Sequence, residues 1–325
     1  MALSLTSLLE VLTGRLDRPA PPVPRLLPEA AESGKALSFD GTPIYWERHG
    51  PSPSESDKTP ILFCYGLVCS MSQWREQVAR YSPDRSCLLF DYRGHHESGV
   101  PADRRLMNLS ALARDARAAL RASGVKGPVH VWGHSLGCNV ALELAAADAA
   151  AVRTLTLLCG TVKSPFHNMF GTDLLSKIAD PLLGLYAGNE IYYRLAWKLC
   201  MQKPEMVALV ARMAGFNADA STAEDIETYA QAVVGTAPDT FFSLLAELTR
   251  GTTAPLLPKI KTPAFVIAGA RDHVTPPSEQ KDLASRLPDA GYFEVPLGSH
   301  NVQLDFGEYV SLKAEEYWRG RGLDS

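Results

Sequence analysis

Short apolar runs punctuate the chain at Ile61–Cys64, Cys87–Phe90, Val129–Val131, Leu155–Leu158, Phe265–Ala268 and Tyr292–Val295. Within each run successive residues are apolar, not every second one, so both faces of the strand are expected to be buried. That pattern belongs to a parallel sheet covered by helices on both sides. Residues 73–80, 108–122 and 136–147 carry helical patterning between the runs, which is the alternation of an α/β protein. Upstream, Ala36–Phe39 and Ile44–Glu47 flank the turn signal Asp40-Gly41 and predict an antiparallel hairpin.

The strand rhythm stops after Gly160. Residues 161–250 show helical spacing only, in Leu174, Leu175 and Ile178, in Tyr192, Leu195 and Leu199, and in Met206, Val210 and Met213. It resumes at Phe265, and one long helix over 303–318 is expected to close the chain. The simplest organisation is a single α/β core formed by residues 36–160 and 251–325, interrupted by a helical cap over 161–250. Ahead of it lies an N-terminal unit, residues 1–35. There Leu5, Leu8, Leu9, Leu12 and Leu16 predict a short amphipathic helix over 3–16, followed by a linker extended by Pro19, Pro21, Pro22 and Pro24. Such a helix is expected to dock on the core or on a second subunit. Membrane-surface contact is the lesser alternative, because only Arg15 and Arg18 supply basic charge.

Composition narrows the picture mainly by exclusion. With 325 residues, 46% hydrophobic and 21% charged, the chain can bury a large core and is not disordered. Its 32 Lys and Arg against 36 Asp and Glu offer no basic footprint for nucleic acid. No apolar run is long enough to span a bilayer. The N-terminus lacks a basic region and Glu10 interrupts its apolar stretch, so a signal peptide is not expected and a cytoplasmic location is. Cys64, Cys69, Cys87, Cys138, Cys159 and Cys200 form no C-x-x-C pair, which speaks against a zinc ribbon or a thiol redox motif.

The chemistry-bearing residues sit just after strands. Val129–Val131 runs into Gly133-His134-Ser135-Leu136-Gly137 and then directly into a helical segment. This is G-x-S-x-G in its strand–turn–helix setting, where a sharp turn lifts the serine hydroxyl above the sheet and the helix N-terminus faces developing negative charge. A serine needs a base, and His300 follows the last strand in Gly298-Ser299-His300. The base needs an orienting carboxylate, and Asp272 follows the preceding strand in Gly269-Ala270-Arg271-Asp272.

With these residues in the order Ser135, Asp272, His300, the chain resembles the α/β-hydrolase fold, in particular its lidded serine hydrolases, over about residues 36–318. The resemblance implies a mostly parallel eight-stranded sheet, helices on both faces and an inserted cap. The family's His-Gly loop is matched by Tyr65-Gly66-Leu67 with Ser70, Ser72 and Trp74 downstream, so the backbone N–H groups of Leu67 and Leu136 are implied as the oxyanion hole. Asp91-Tyr92-Arg93-Gly94-His95-His96-Glu97-Ser98 is similar to another family segment. His96 replaces a common glycine there, so an altered turn is expected. Metal binding by His95, His96 and Glu97 is disfavoured because adjacent side chains point apart. His130 and His134 lie on a strand and its turn and are not a ligand pair, and Cys138 is expected to be a packed small residue.

The cap is rich in aromatic residues, among them Phe166, Phe170, Trp197, Phe216, Tyr229 and Phe241, and lacks a glycine-rich cradle or an arginine cluster. An apolar cleft is expected, with Tyr65, His134, Phe166, Phe170 and Trp197 as candidate substrate contacts. The expected activity is hydrolysis of a small, largely apolar carboxylic ester through an acyl-enzyme, with no cofactor and no metal. The same triad also serves thioester, amide or carbon–carbon hydrolysis and acyl transfer, and a non-catalytic ligand-binding role is a further alternative. Serine rather than aspartate at 135 argues against dehalogenase and epoxide hydrolase chemistry. Oligomeric state is left open.

Overall fold

The computed structural model describes residues 23–324 apart from 187, 202, 203 and 218; the predicted helix over 3–16 lies outside the described residues. Eight strands form one sheet in the order β1-β2-β4-β3-β5-β6-β7-β8. They are β1 (Glu32–Leu37), β2 (Pro43–His49), β3 (Ile61–Cys64), β4 (Cys87–Phe90), β5 (Val129–His134), β6 (Val152–Leu158), β7 (Ala264–Gly269) and β8 (Ala290–Val295). β2 runs antiparallel to β1 and to β4, and every pairing from β4 through β8 is parallel. The fold is the mostly parallel α/β sheet expected from the apolar runs. The hairpin begins at Glu32, earlier than the expected boundary at 36, because a polar edge strand carries no apolar run to announce it.

The two sheet faces separate cleanly along β5, where alternate side chains point in opposite directions. His130 stacks on Trp318 with ring centres 4.0 Å apart, and Trp132 meets Tyr81 and Trp318 edge-on. These partners come from α1 (Arg75–Tyr81) and from the C-terminal helix. On the other face lie α2 (Leu109–Ala122), started by Asn108 accepting from Ala111 N–H at 2.9 Å, and α3 (Leu136–Ala147). Both fall where the periodicity placed them. His130 and His134 are both buried, and burial holds each imidazole down at about 3, so both are neutral.

Between β6 and β7 the chain forms a cap of α4 (Leu174–Gly184), α5 (Glu190–Cys200), α6 (Pro204–Ala214), α7 (Ala223–Gly235) and α8 (Pro238–Thr249). Its interior is aromatic, with Trp197 against Phe241 at 4.4 Å and Phe242 among Tyr186, Tyr193 and Trp197. Leu174, Ile178 and Tyr192, which share the helical patterning, are exposed.

Two elements depart from the sequence reading. Helix α9 (Pro277–Arg286) has no counterpart in the sequence pattern, because most of its residues are polar and Leu283 and Ala284 are its only apolar residues in the core; proline at its start is the one local signal. The long C-terminal helix is two helices, α10 (Val302–Asp305) and α11 (Gly307–Gly320), broken at Phe306 with φ −139° and ψ 46°. The break lets Gly307 approach Glu76, where a Cβ would stand 2.7 Å from the Glu76 side chain. Among the described residues no helix is long and apolar enough to cross a membrane.

One buried ion pair ties the hairpin to the core. Arg93 is fully buried and donates to both Asp115 oxygens at 2.7 and 2.6 Å, and to Asp40 at 3.0 Å. Arg93→Met would leave the Asp115 charge buried without its partner, and urea unfolding should show a loss of about 3–5 kcal/mol. A change below about 1 kcal/mol would mean that Asp115 does not depend on Arg93 to be held in the core.

Candidate active site

Ser135 joins β5 to α3 with φ 53° and ψ −117°, a conformation that an L-residue adopts only under strain. The packing around it enforces that strain. A Cβ on Gly137 would lie 2.0 Å from Cys64 O, so only glycine lets the start of α3 sit against the end of β3. Gly269, at the end of β7, is equally tight: a Cβ there would lie 2.2 Å from Ser299 O. That contact brings the loop carrying His300 over the sheet edge beside Ser135.

The three side chains expected to act together form a hydrogen-bonded chain. His300 Nδ1–H donates to Asp272 Oδ2 at 2.9 Å, leaving Nε2 to accept from the Ser135 hydroxyl at 3.1 Å. Asp272 is buried and held from several directions. Its Oδ1 accepts from the N–H groups of Val274 and Thr275, each at 2.9 Å, and its Oδ2 from Gln280 Nε2 at 3.1 Å. Burial works to raise its pKa, but His300 and the Thr275 donors outweigh it and hold the carboxyl below the ordinary value. Asp272 is therefore an anion placed to stabilise a charged imidazole. Thr275, which no motif singles out, supports the same carboxylate.

The loop after β3 supplies the other wall. Val68 adopts φ 55°, a left-handed conformation that is unfavourable for a β-branched residue. Among the described residues neither the N–H of Leu67 nor that of Leu136 donates a hydrogen bond to another part of the protein. His134 Nε2–H donates to the His300 carbonyl at 2.7 Å, and burial with the adjacent His300 keeps it neutral.

The site opens into a cavity of about 690 Å³ beneath the cap. Ser135, His300, Leu67 and Val68 line it, together with apolar residues that include Met169, Trp197, Val233, Phe241, Leu245 and Leu248. Of the candidate substrate contacts, His134, Phe166 and Trp197 line this cavity. Tyr65 does not: it is fully buried, its hydroxyl donating to Asp91 at 3.3 Å and accepting from Tyr92 N–H at 3.0 Å. Phe170 does not either, since it is half-exposed and stacks on His273 outside the cavity. Phe216, Tyr229 and Phe241 reach it from the cap.

The remaining candidates separate on the same grounds. His96 adopts φ 39°, a left-handed conformation that costs an L-residue strain, and its Nε2 meets Cys69 O at 2.8 Å. His95 turns away to Arg93 O at 3.2 Å, so the two do not converge on a metal. Cys138 is packed, its thiol donating to Gly133 O at 3.2 Å, and burial pushes its pKa up. Cys159 lies with Asp272 and His300 within 4.8 Å, but those two engage each other and burial keeps the thiol protonated. The donor set does not fit a metal ion.

A family model described as the alpha/beta hydrolase fold matches residues 59–306. The chain belongs to the α/β-hydrolase fold family. This hydrolase is 28% identical over 257 residues to RutD of Azorhizobium caulinodans, named as a putative carbamate hydrolase, covering 79% of this chain and 88% of that protein. In structure it is similar to a thermophilic esterase from Thermogutta terrifontis, with a TM-score of 0.71 at 18% identity over 91% of this chain and 100% of that one. It is also similar to the enol-lactonase of Burkholderia xenovorans LB400, with a TM-score of 0.70 at 20% identity over 88% and 100% of the two chains.

Behind the hydrolase's Leu67 loop, Asp91 is buried and its carboxyl is pushed up to about 6 by desolvation, against the pull of His96 and the Glu97 N–H. An unfolded aspartate ionises near pH 4, so this group favours the folded state below that pH and loses its contribution as pH rises through about 6. Asp91→Asn should therefore gain stability relative to wild type by on the order of 2 kcal/mol between pH 4 and pH 7, read by urea unfolding at each pH. A difference independent of pH would show that Asp91 ionises normally.

Proposed function

We propose that this chain is a serine hydrolase that cleaves a carboxylic ester of a largely apolar molecule through an acyl-enzyme. The observation that carries the reading is the Ser135–His300–Asp272 chain at the mouth of an apolar cavity of about 690 Å³. His300 takes the Ser135 proton as the hydroxyl oxygen attacks the ester carbonyl, and Asp272 stabilises the resulting imidazolium. The N–H groups of Leu67 and Leu136 receive the tetrahedral oxyanion, and α3 directs its positive end the same way. His300 then protonates the departing alcohol. Water, deprotonated by His300, releases the acid and restores Ser135.

The cap supports the substrate class. Trp197, Phe241, Leu245 and Leu248 offer dispersion contacts and few hydrogen-bonding groups, which suits an alkyl or aryl group better than a charged one. The name of the A. caulinodans relative supports a second reading, in which the same serine attacks a carbamate carbonyl. Thioester, amide and carbon–carbon bonds and acyl transfer use the same geometry. Free thiols at the six cysteines are in keeping with a reducing, cytoplasmic location.

A fluorescent alkyl phosphonate should label wild type and leave Ser135→Ala unlabelled; labelling of both would remove Ser135 from the nucleophile role. Asp272→Asn should lower kcat by roughly 10⁴-fold, since the imidazole would lose its orienting anion. On a series of p-nitrophenyl esters, kcat/KM should rise from acetyl to octanoyl. Preference for acetyl, or turnover of aryl carbamates alone, would overturn the apolar-ester reading.

A further inference from the structure

The loop holding Leu67 is not fixed by the sheet alone. Gly66 N–H donates to Gln73 Oε1 at 3.1 Å, Gln73 Nε2 donates to Asn301 Oδ1 at 2.9 Å, and Asn301 Nδ2 donates to Gly215 O at 2.7 Å. A backbone N–H can only donate and a backbone carbonyl can only accept, so the two ends dictate the orientation of both amides between them. Gln73, Asn301 and Gly215 are all buried, so breaking the chain leaves buried polar groups short of a partner.

The three anchors belong to different parts of the molecule. Gly66 precedes Leu67, Asn301 follows His300, and Gly215 lies in the cap just beyond α6. The cap segment is stapled to the His300 loop a second and a third time: Asn217 Nδ2 donates to Leu297 O at 2.8 Å, and Ser221 Oγ to Asp305 Oδ1 at 2.7 Å. Asp305 in turn accepts from Ser299 N–H at 2.8 Å, immediately before His300. The relay through Gln73 carries this connection across to the loop after β3.

What it controls there follows from peptide geometry. Gly66 C=O and Leu67 N–H belong to one trans peptide and point in opposite directions. Cys69 N–H donates to Gly66 O at 3.2 Å, which sets one end of that peptide, and the Gln73 bond to Gly66 N–H holds the residue on which it turns. We propose that Gln73 and Asn301 are positioning residues that aim the Leu67 N–H at the oxyanion and make that aim depend on the seating of the cap. This rests on the assignment of Leu67 as an oxyanion donor. Asn301, Gly66 and Gly215 line the large cavity but Gln73 does not, so Gln73 is the member of the relay whose replacement should fall on turnover rather than on substrate binding.

The test is Gln73→Glu, which changes one donor and little volume. The introduced carboxyl, when ionised, would have no proton for Asn301 Oδ1, so Asn301 would have to turn and release Gly215 O. When protonated it would donate again and restore the relay. With p-nitrophenyl octanoate at pH 8, kcat of Gln73→Glu should fall on the order of tenfold to a hundredfold, as when an oxyanion donor is mis-set, with KM changed less than about threefold. The ratio of variant to wild-type kcat should then climb as pH is lowered to about 5.5, where a buried carboxyl regains its proton, whereas Gln73→Met should stay low at every pH. Thermal unfolding of both variants reports whether they are folded at the assay temperature. A pH-independent ratio for Gln73→Glu, or wild-type kcat in Gln73→Met, would overturn the relay. Ser135→Ala separates the two ideas: if it retains turnover the site reading fails, and if it is inactive while the Gln73 variants match wild type, only the relay fails.

Discussion

The start of α3 meets the carboxyl ends of β3 and β5 at a separation that leaves no room for a side chain at Gly137, where a Cβ would lie 2.0 Å from Cys64 O. Because the helix is held that close, the residue joining it to β5 has to turn within one position, and Ser135 takes φ 53° to do so. The strain is maintained by a core that is buried on every side, including Trp132, Val140 and Leu157. A looser junction would let Ser135 relax into the sheet edge, and the hydroxyl would no longer meet His300 Nε2. The helix N-terminus would also stop facing the place where charge develops.

The rest of the site is built by loops that come to this junction from separate strands. The His300 loop is admitted by Gly269, the Asp272 loop is closed on itself by Thr275 and Gln280, and the Leu67 loop is strained at Val68. The cap holds two of them from above. Its segment around Gly215 is bonded to Asn301, while its aromatic residues Trp197 and Phe241 roof the cavity. Cap and chemistry are thus mechanically connected, so substrate fit under the cap and the geometry of the proposed oxyanion donors are not independent variables.

The sheet was legible in the order of residues because its strands are buried on both faces, and Ile61–Cys64 or Cys87–Phe90 cannot be apolar throughout for any cheaper reason. Strand edges were less legible: Glu32–Gly34 are polar or small and read as loop. Helix α9 leaves no apolar stripe because most of its residues are polar, and the break at Phe306 leaves no mark in the pattern because helical spacing continues across it. Tyr65 and Phe170 show the complementary error. Both are aromatic, Tyr65 two residues before Leu67 and Phe170 in the cap, yet one turns down to Asp91 and Tyr92 and the other out to His273.

Local order therefore determined the α/β rhythm, the interruption after Gly160, and the placing of Ser135, Asp272 and His300 just beyond strand ends, because each depends on residues within a few positions of a strand end. Tertiary structure alone decided which cap side chains face the cavity, how Val68 and His96 are strained, and how Gln73 reaches both Gly66 and Asn301. The physical reason is separation along the chain. A hydrogen bond between residues 73 and 301, or an aromatic roof drawn from several helices, has no periodicity to betray it and exists only once the sheet has brought its strand ends together.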